Sequence, residues 1–433
     1  MHLFSARRPL IRALCILLLC AGLPVSASAS DTQDVLFLST PSPAPTMAPA
    51  PLPTEPPLHA PDTLSPIAAA LPTALPIHAD IVSADGKSSS FTRDTPVNMP
   101  AQAAYSDLAG VLTFRGGPDR QNAAYGFVNP QRKTLRVVWE KKIGAIDNWS
   151  GVGWNGQPAI VRWPDALRAQ MNLHAAKQTP GLCEVIYAAL DGNIYFLDLS
   201  DGAETRAPIR VGFPIKGSVS IDPRGIPLLY SGQGISRNGA KRGKIGLHIF
   251  NLLDQSELYL LNGRDKDARR AHGAFDSVPL VDAQSDTLLA AGENGLFYTL
   301  SLHTQYDAAQ ATLSIAPTRV AYRYRTGKTV GMENSPAVWG HFAYFADNGG
   351  YLQCVDLNTL TLVWGASVSD DTDATIALEP EANGHLALYT ACEVDLRKKN
   401  APAFLRRFNA QTGALDWEVA VPCAYDPDLN GGV

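Results

Sequence analysis

The chain has 433 residues, 45% of them hydrophobic and 18% charged, with 35 Gly, 32 Pro and a formal net charge of -5. That length is enough to bury at least one large core. The mild acidity and the lack of a long Lys/Arg run argue against sequence-independent nucleic-acid binding, which needs concentrated positive charge to displace counterions.

The first segment, MHLFSARRPLIRALCILLLCAGLPVSASAS, carries Arg7, Arg8 and Arg12, then an apolar run from Ala13 to Leu23, then Ala27-Ser28-Ala29. This predicts a secretory signal peptide over residues 1–29, too short in its apolar run to span a membrane. Leu19 stands before Cys20 where a lipoprotein signal wants a small residue, so cleavage near Ala29 and release are expected. The mature chain is then a secreted or cell-envelope protein with no transmembrane segment. Without the signal, Cys183, Cys354, Cys392 and Cys423 remain, and none forms C-x-x-C or C-x-x-C-H, so neither a zinc site nor covalent haem is expected. Cys392 and Cys423 either pair across neighbouring strands or stay as buried thiols.

Residues 30–102 are rich in Pro, Ala, Ser and Thr without a sustained period. Proline removes backbone donors and biases its neighbours to extended conformations, which predicts a semi-rigid disordered linker. From 103 onward the composition is that of a folding chain. A pattern of apolar strand, small polar residue and polar turn recurs at Asp198, Asn251, Ser301, Asp356 and Asn409, at steps of 53, 50, 55 and 53 residues. Gly192, Gly295 and Gly350 each precede this position by six, where a tight hairpin needs positive φ; Trp364 and Trp417 follow it by eight. Each unit opens on a small-residue strand, at Gly156, Gly217, Asp276, Asn334 and Ala374. Four short strands per repeat of about 50 residues predict the blades of an all-β propeller, which bury their faces only by stacking on one another.

The repeat SPAVWGHFAYFADNGGYLQCVDLNTLTLVW and its copies resemble the PQQ-like β-propellers of the quinoprotein alcohol dehydrogenase-like superfamily. LTFRGGPDRQNAAYG, Leu112 to Gly126, is similar to the opening segment of non-enzymatic or uncharacterised members. The resemblance implies an exported, non-enzymatic member with seven or eight blades, of which about five are present, so that 103–433 would be a C-terminally incomplete propeller. It also implies that TLRVVWEKKIG, Thr134 to Gly144, is the outermost strand of a blade whose other three strands normally come from the C-terminus.

Loops entering the innermost strands of a propeller gather at one end of its channel. Here Asp276, Glu333, Asp371 and Asp373 precede the inner strands of three consecutive blades, with Asn334 beside them. The set reads either as an acidic mouth for a basic ligand or for Ca²⁺ held by Asp276, Glu333 and Asp371, or as a wet polar rim. Trp154, between Gly153 and Asn155, is the better candidate for stacking a ligand, Trp163 for packing. His248, His272 and His303 lack metal-ligand spacing, and Glu393 with Asp395 reads as a solvated hairpin. Two functions follow. One is an exported binding or scaffolding module for a protein, saccharide or small ligand, with a protein or cell-envelope partner and no required cofactor. The other is a PQQ- and Ca²⁺-dependent oxidoreductase, which lacks a clearly aligned set of cation ligands here.

Overall fold

A computed structural model describes residues 60–101, 104–125, 131, 134–153, 156–328, 330–397 and 401–423. The signal peptide and the first part of the linker lie outside the described residues, and every sheet belongs to the compact unit of residues 55–433. Five antiparallel sheets occur in chain order. Blade 1 comprises Ala109–Val111, Ala159–Arg162, Cys183–Ala188, Asn193–Asp198 and Ile209–Arg210. Blade 2 is Val219–Ile221, Leu228–Gly232, Gly246–Asn251 and Glu257–Asn262, and blade 3 contains Leu280–Asp282, Thr287–Ala291, Leu296–Ser301 and Thr318–Arg325. Blade 4 is Ala337–Trp339, Phe342–Ala346, Tyr351–Asp356 and Thr361–Ser367, and blade 5 is Ala377–Pro380, Leu386–Cys392, Ala403–Asn409 and Leu415–Val421. The longest α-helix among the described residues is the single turn Asp165–Arg168.

Each pair of successive sheets shares a core. Ile186 and Phe196 of blade 1 pack with Leu229 and Phe250 of blade 2, and Tyr230 and Ile249 pack with Leu288 and Tyr298 of blade 3. Phe297 and Tyr322 then meet Phe345 and Val355 of blade 4, and Tyr344 and Trp364 meet Leu388 and Phe408 of blade 5. Sheets stacked in sequence order on both faces, with the small-residue strands innermost, are a β-propeller.

The repeat signature has a local cause. Oδ1 of Asp198, Asn251, Asp356 and Asn409 accepts the backbone N–H two residues on, at 2.7–2.9 Å, so an Asp or Asn at this position closes the turn into the outer strand. Ser301 breaks the pattern because blade 3 replaces that turn with a hairpin, Gln305–Asp307 on Thr312–Ser314. Pairing of the third and outer strands slips by one residue at the same repeat position in blades 2, 4 and 5. Such bulges increase the local twist, and in blades 4 and 5 the Trp stands directly after the slip. Gly192, Gly295 and Gly350 hold φ of 76°, 80° and 79°, as the hairpin turns require.

The linker read as running to residue 102 is a correction. From Ile67 onward it is a belt across three blades: Ile67 N donates to Thr412 O, Leu75 and Ile77 lie at Gly365, and His78–Ser83 pairs in register with blade 3's outer strand before turning into Gly86–Ser88. Arg93, buried, then donates to Leu357 O and Thr299 Oγ1, and Met99 bridges Gly340. Proline content hid it, because apolar residues spaced between prolines still find sheet faces and edges to cover.

Residues 110–120 form a strap along the inner strands of all five blades. Gly110 pairs with Val161, Ile221 N donates to Leu112 O, and Thr113 Oγ1 donates to Pro279 O. Val338 N and Leu378 N donate to the carbonyls of Pro118 and Asp119 at 2.7 and 2.9 Å. A Cβ on Gly110 would stand 2.0 Å from Ile160 O, so only glycine admits this approach.

One contact between a tryptophan and the next blade's turn occurs twice. Trp364 is 0% exposed, donates to Ala410 O at 2.9 Å and lies over Gly413 of blade 5. Trp139 makes the same contact with blade 1, donating to Leu199 O at 2.9 Å over Gly202. Leu199 and Gly202 hold the repeat positions of Ala410 and Gly413, so TLRVVW sits on blade 1 as TLTLVW sits on blade 5. Residues 137–141 show no ladder with Leu415–Val421, and Leu135, Val137 and Val138 are exposed. Trp417, equivalent to Trp364, is 39% exposed. Replacing Trp364 with Ala is therefore expected to cost about 3–5 kcal/mol and Trp417→Ala only about 1 kcal/mol, read from denaturant midpoints at unchanged m.

Candidate functional site

The inner strands begin with small or hydroxyl residues because neighbouring backbones nearly touch there. A Cβ on Gly217 would meet Asp276 O at 2.3 Å. Hydroxyls bridge the gaps: Gln157 N donates to Ser218 Oγ, Val278 N to Ser335 Oγ and Ser335 N to Thr375 Oγ1, at 2.8, 2.9 and 3.1 Å. This close row of inner strands forces the loops just before it to share one space.

That space is acidic. One carboxylate oxygen from each of Asp276, Glu293 and Glu333 lies within 4.8 Å of the others. Lys216 Nζ stands 2.8 Å from Asp276 Oδ2, and His272 Nε2 stands 2.9 Å from Glu293 Oε2. Asn348 Nδ2 donates to Glu333 Oε1 at 2.9 Å and to Asp371 Oδ2 at 3.2 Å, joining Asp371 to the group. The residue is 0% exposed at Asp276 and 1% at Glu293, and no donor among the described residues reaches Glu293 Oε1 or Asp371 Oδ1.

Crowding of like charge away from water holds protons on these groups. Burial and then the Glu293 charge push Asp276 up to about 8 against the pull of Lys216; burial and then Glu333 push Glu293 up to about 8. Asp371 rises to about 6 through burial and Glu333, and Glu393 to about 8 through burial, Asp371 and Asp395. Asp373 is raised well above the usual carboxylate range by burial and by Glu333 and Asp371. Burial acts to lower Lys216, but the charges of Asp276, Glu293 and Glu333 outweigh it and hold the ammonium protonated. Burial, with Arg270 and Lys216 nearby, lowers His272.

Of the residues named from sequence, Asp276, Glu333 and Asp371 do converge, and Asp373 lies in the same field. Asn334 braces the loops from within the core instead of facing the mouth: its Nδ2 donates to Ala346 O and Thr372 O, and its Oδ1 accepts from Ala346 N. Trp154 lies outside the described residues. Trp163 packs, fully buried, and donates to Glu184. Glu393, read as part of a solvated hairpin, is a correction: it is half-buried, its N–H donates to Asp371 O, and the charges of Asp371, Asp395 and Glu333 act on its carboxyl. Lys216, Glu293 and Asn348 were missed. Glu293 and Asn348 occupy the turn between the second and third strands of blades 3 and 4, beside Gly295 and Gly350, so the repeat alignment itself could have placed them at the same end of the channel as the inner-strand loops.

No family model matches the sequence, and no curated protein matches it. Among solved structures, the chain is similar to BamB from Moraxella catarrhalis at 14% identity, covering 67% of this chain and 76% of that one with a TM-score of 0.36. It is similar to a chain of a mitotic checkpoint complex at 14% identity, covering 71% and 79% with a TM-score of 0.37. A europium-containing methanol dehydrogenase matches at 11% identity, over 66% and 73%, with a TM-score of 0.38. These similarities add nothing to what the chain's own sheets establish, the β-propeller fold.

The raised carboxyls carry a pH consequence. Unfolded carboxylates titrate near pH 4, whereas Asp276, Glu293 and Glu393 keep protons to about 8 when folded, so the folded chain binds more protons between those values. Stability contributed here is whole below pH 4 and is lost as pH rises to 8, with Lys216 remaining charged throughout that window. The thermal midpoint is expected to fall between pH 5.5 and 8.5 (about 1.4 kcal/mol per unit for each group so linked), and Glu333→Gln to flatten that fall.

Proposed function

We propose that this chain is an exported β-propeller binding module whose acidic mouth receives a cation or a basic group presented by a protein partner of the cell envelope. The observation that carries this reading is the charge balance of the mouth: the Lys216 ammonium, with the Arg270 guanidinium acting on Glu293, is set against Asp276, Glu293 and Glu333, with Asp371, Asp373 and Glu393 behind them. Groups that hold protons for want of positive charge would exchange them for a cation that fits among them. The donor set, carboxylate and amide oxygens, is of the kind that suits Ca²⁺. Asp276, Glu333 and Asp371 would hold the ion, with Glu293 as a fourth oxygen source; an ammonium or guanidinium on a partner uses the same charges. The signal peptide over residues 1–29 supplies export in this reading, and the proline-rich residues after it act as a spacer.

The test is thermal unfolding of the full chain with and without Ca²⁺, alongside the triple variant Asp276→Asn, Glu333→Gln, Asp371→Asn. Occupancy of the mouth raises the midpoint of the parent as ligand binding to the native state must. The variant loses that rise. A parent indifferent to Ca²⁺ and to lysine-rich peptide, with a variant at least as stable, overturns the reading and leaves the group as a buried, proton-holding cluster. Adding PQQ with Ca²⁺ and recording absorbance examines the oxidoreductase alternative.

A further inference from the structure

The strap reaches two of the mouth-bearing blades through the side chain of Arg120. Arg120 is 0% exposed, although arginine is rarely buried without a carboxylate partner. Its Nη2 donates to Val278 O at 2.7 Å and its Nε to Pro336 O at 3.0 Å, while Nη1 donates to Thr113 Oγ1 and Phe114 O at 3.0 and 2.7 Å. Val278 lies two residues after Asp276, and Pro336 three after Glu333. The neighbouring Asp119 carbonyl takes Leu378 N, five residues after Asp373. Three consecutive residues, Pro118 to Arg120, therefore tie together the inner strands of blades 3, 4 and 5, each directly below a loop that carries mouth carboxylates.

Bound protons, Lys216 and Asn348 relieve only part of the repulsion among these crowded carboxyls, so their loops tend to separate. Thr375 and Ser335 hydroxyls resist this within the row of inner strands, but each spans only one gap between blades. The rigid fork of a guanidinium reaches two strands and its own segment at once, which an ammonium on a flexible stem does not. Burial lowers Arg120 to about 10, so it stays charged at neutral pH and its bonds to carbonyls are charge-assisted.

We propose that Arg120 is a positioning residue: through the strap it fixes the separation of the blade 3, 4 and 5 mouth loops without touching any mouth carboxylate. The positioning itself stands on the hydrogen bonds of the guanidinium; only its effect on cation binding rests on the function proposed for the mouth.

Hydrogen exchange of the full chain tests it. In Arg120→Met, the amides of Phe275, Val278, Met332, Ser335 and Glu393 are expected to exchange at least about tenfold faster, as local opening becomes easier, while those of 228–232 and 246–251 in blade 2 keep their rates. Arg120→Lys restores part of the protection. Leu229→Ala, which opens a cavity in the core shared by blades 1 and 2, serves as a control of general destabilisation and leaves the five mouth amides ahead of none of the others. Where Arg120→Met fails to fold, Thr113→Val removes one acceptor from the guanidinium together with the hydroxyl's own bond to Pro279 O, and gives the selective pattern at smaller amplitude, read at Met332, Ser335 and Glu393, away from that second bond. Even acceleration across all five blades, or mouth amides no faster than in the Leu229→Ala control, overturns the proposal. In a parent whose midpoint responds to Ca²⁺, Arg120→Met diminishes that response severalfold; a full response in a variant with loosened loops overturns the link to binding, and a parent with no response sinks the proposed function while the exchange result still decides the positioning.

Discussion

Five sheets that each expose a strand of small residues to a common axis need something to close that axis, because the inner strands bring unpaired N–H and C=O groups into a space from which water is largely excluded. Here the chain itself does so. Residues 110–120 supply carbonyls to Ile221, Val338 and Leu378, and Arg120 supplies donors to Val278 and Pro336. Burying a guanidinium is costly, and the cost is offset only because four acceptors surround it in fixed directions. The rest of the molecule is arranged around that axis: blades stack in order on their broad faces, while their inner edges share one segment.

The same closeness creates the mouth. Loops that enter a tight row of strands cannot spread, so carboxylates placed on them meet whether or not they attract. The chain supplies partial relief through Lys216, through His272 on Glu293, and through the amide of Asn348 between Glu333 and Asp371. Two other buried carboxylates are matched. Glu184, buried in blade 1, accepts from Trp163, Thr205 and Arg206, and Asp370, just before the mouth, accepts backbone N–H groups of Asp395, Leu396 and Arg397 together with the Arg397 side chain. The contrast separates charges that build the fold from charges left in want of a counterion.

Much of this was legible because a propeller writes its geometry into a period. The Asp or Asn that closes each turn, the glycines at positive φ and the tryptophan after the bulge are local requirements, each tied to few residue types, so they recur visibly. Convergence of Asp276, Glu333 and Asp371 came from the same period. What escaped has no period. The strap reads as an ordinary glycine-containing loop, since its partners are backbone N–H and C=O groups of residues far along the chain; the belt reads as linker, since its apolar residues are sparse and its order depends on surfaces made by blades 3 to 5. Lys216 and Glu293 escaped for a third reason: each occurs once, at a repeat position where other blades carry different residues.

The belt and the strap also set the order in which this chain can fold. Asp80 meets Arg323 across 243 residues of sequence, Arg93 meets Leu357 across 264, and Arg120 meets Pro336 across 216. Each blade closes through hairpins between near neighbours and can form as soon as its own fifty residues are available. The segments that bind the blades together precede nearly all of them in sequence, yet complete their contacts only when blades 3, 4 and 5 exist. The loop-closure entropy of such distant contacts is met late, after local structure is in place. The first part of the fold to be synthesised is thus the last to be fully secured, and a chain interrupted before blade 5 would leave Ile67 of the belt and the Asp119 carbonyl of the strap without their partners Thr412 and Leu378.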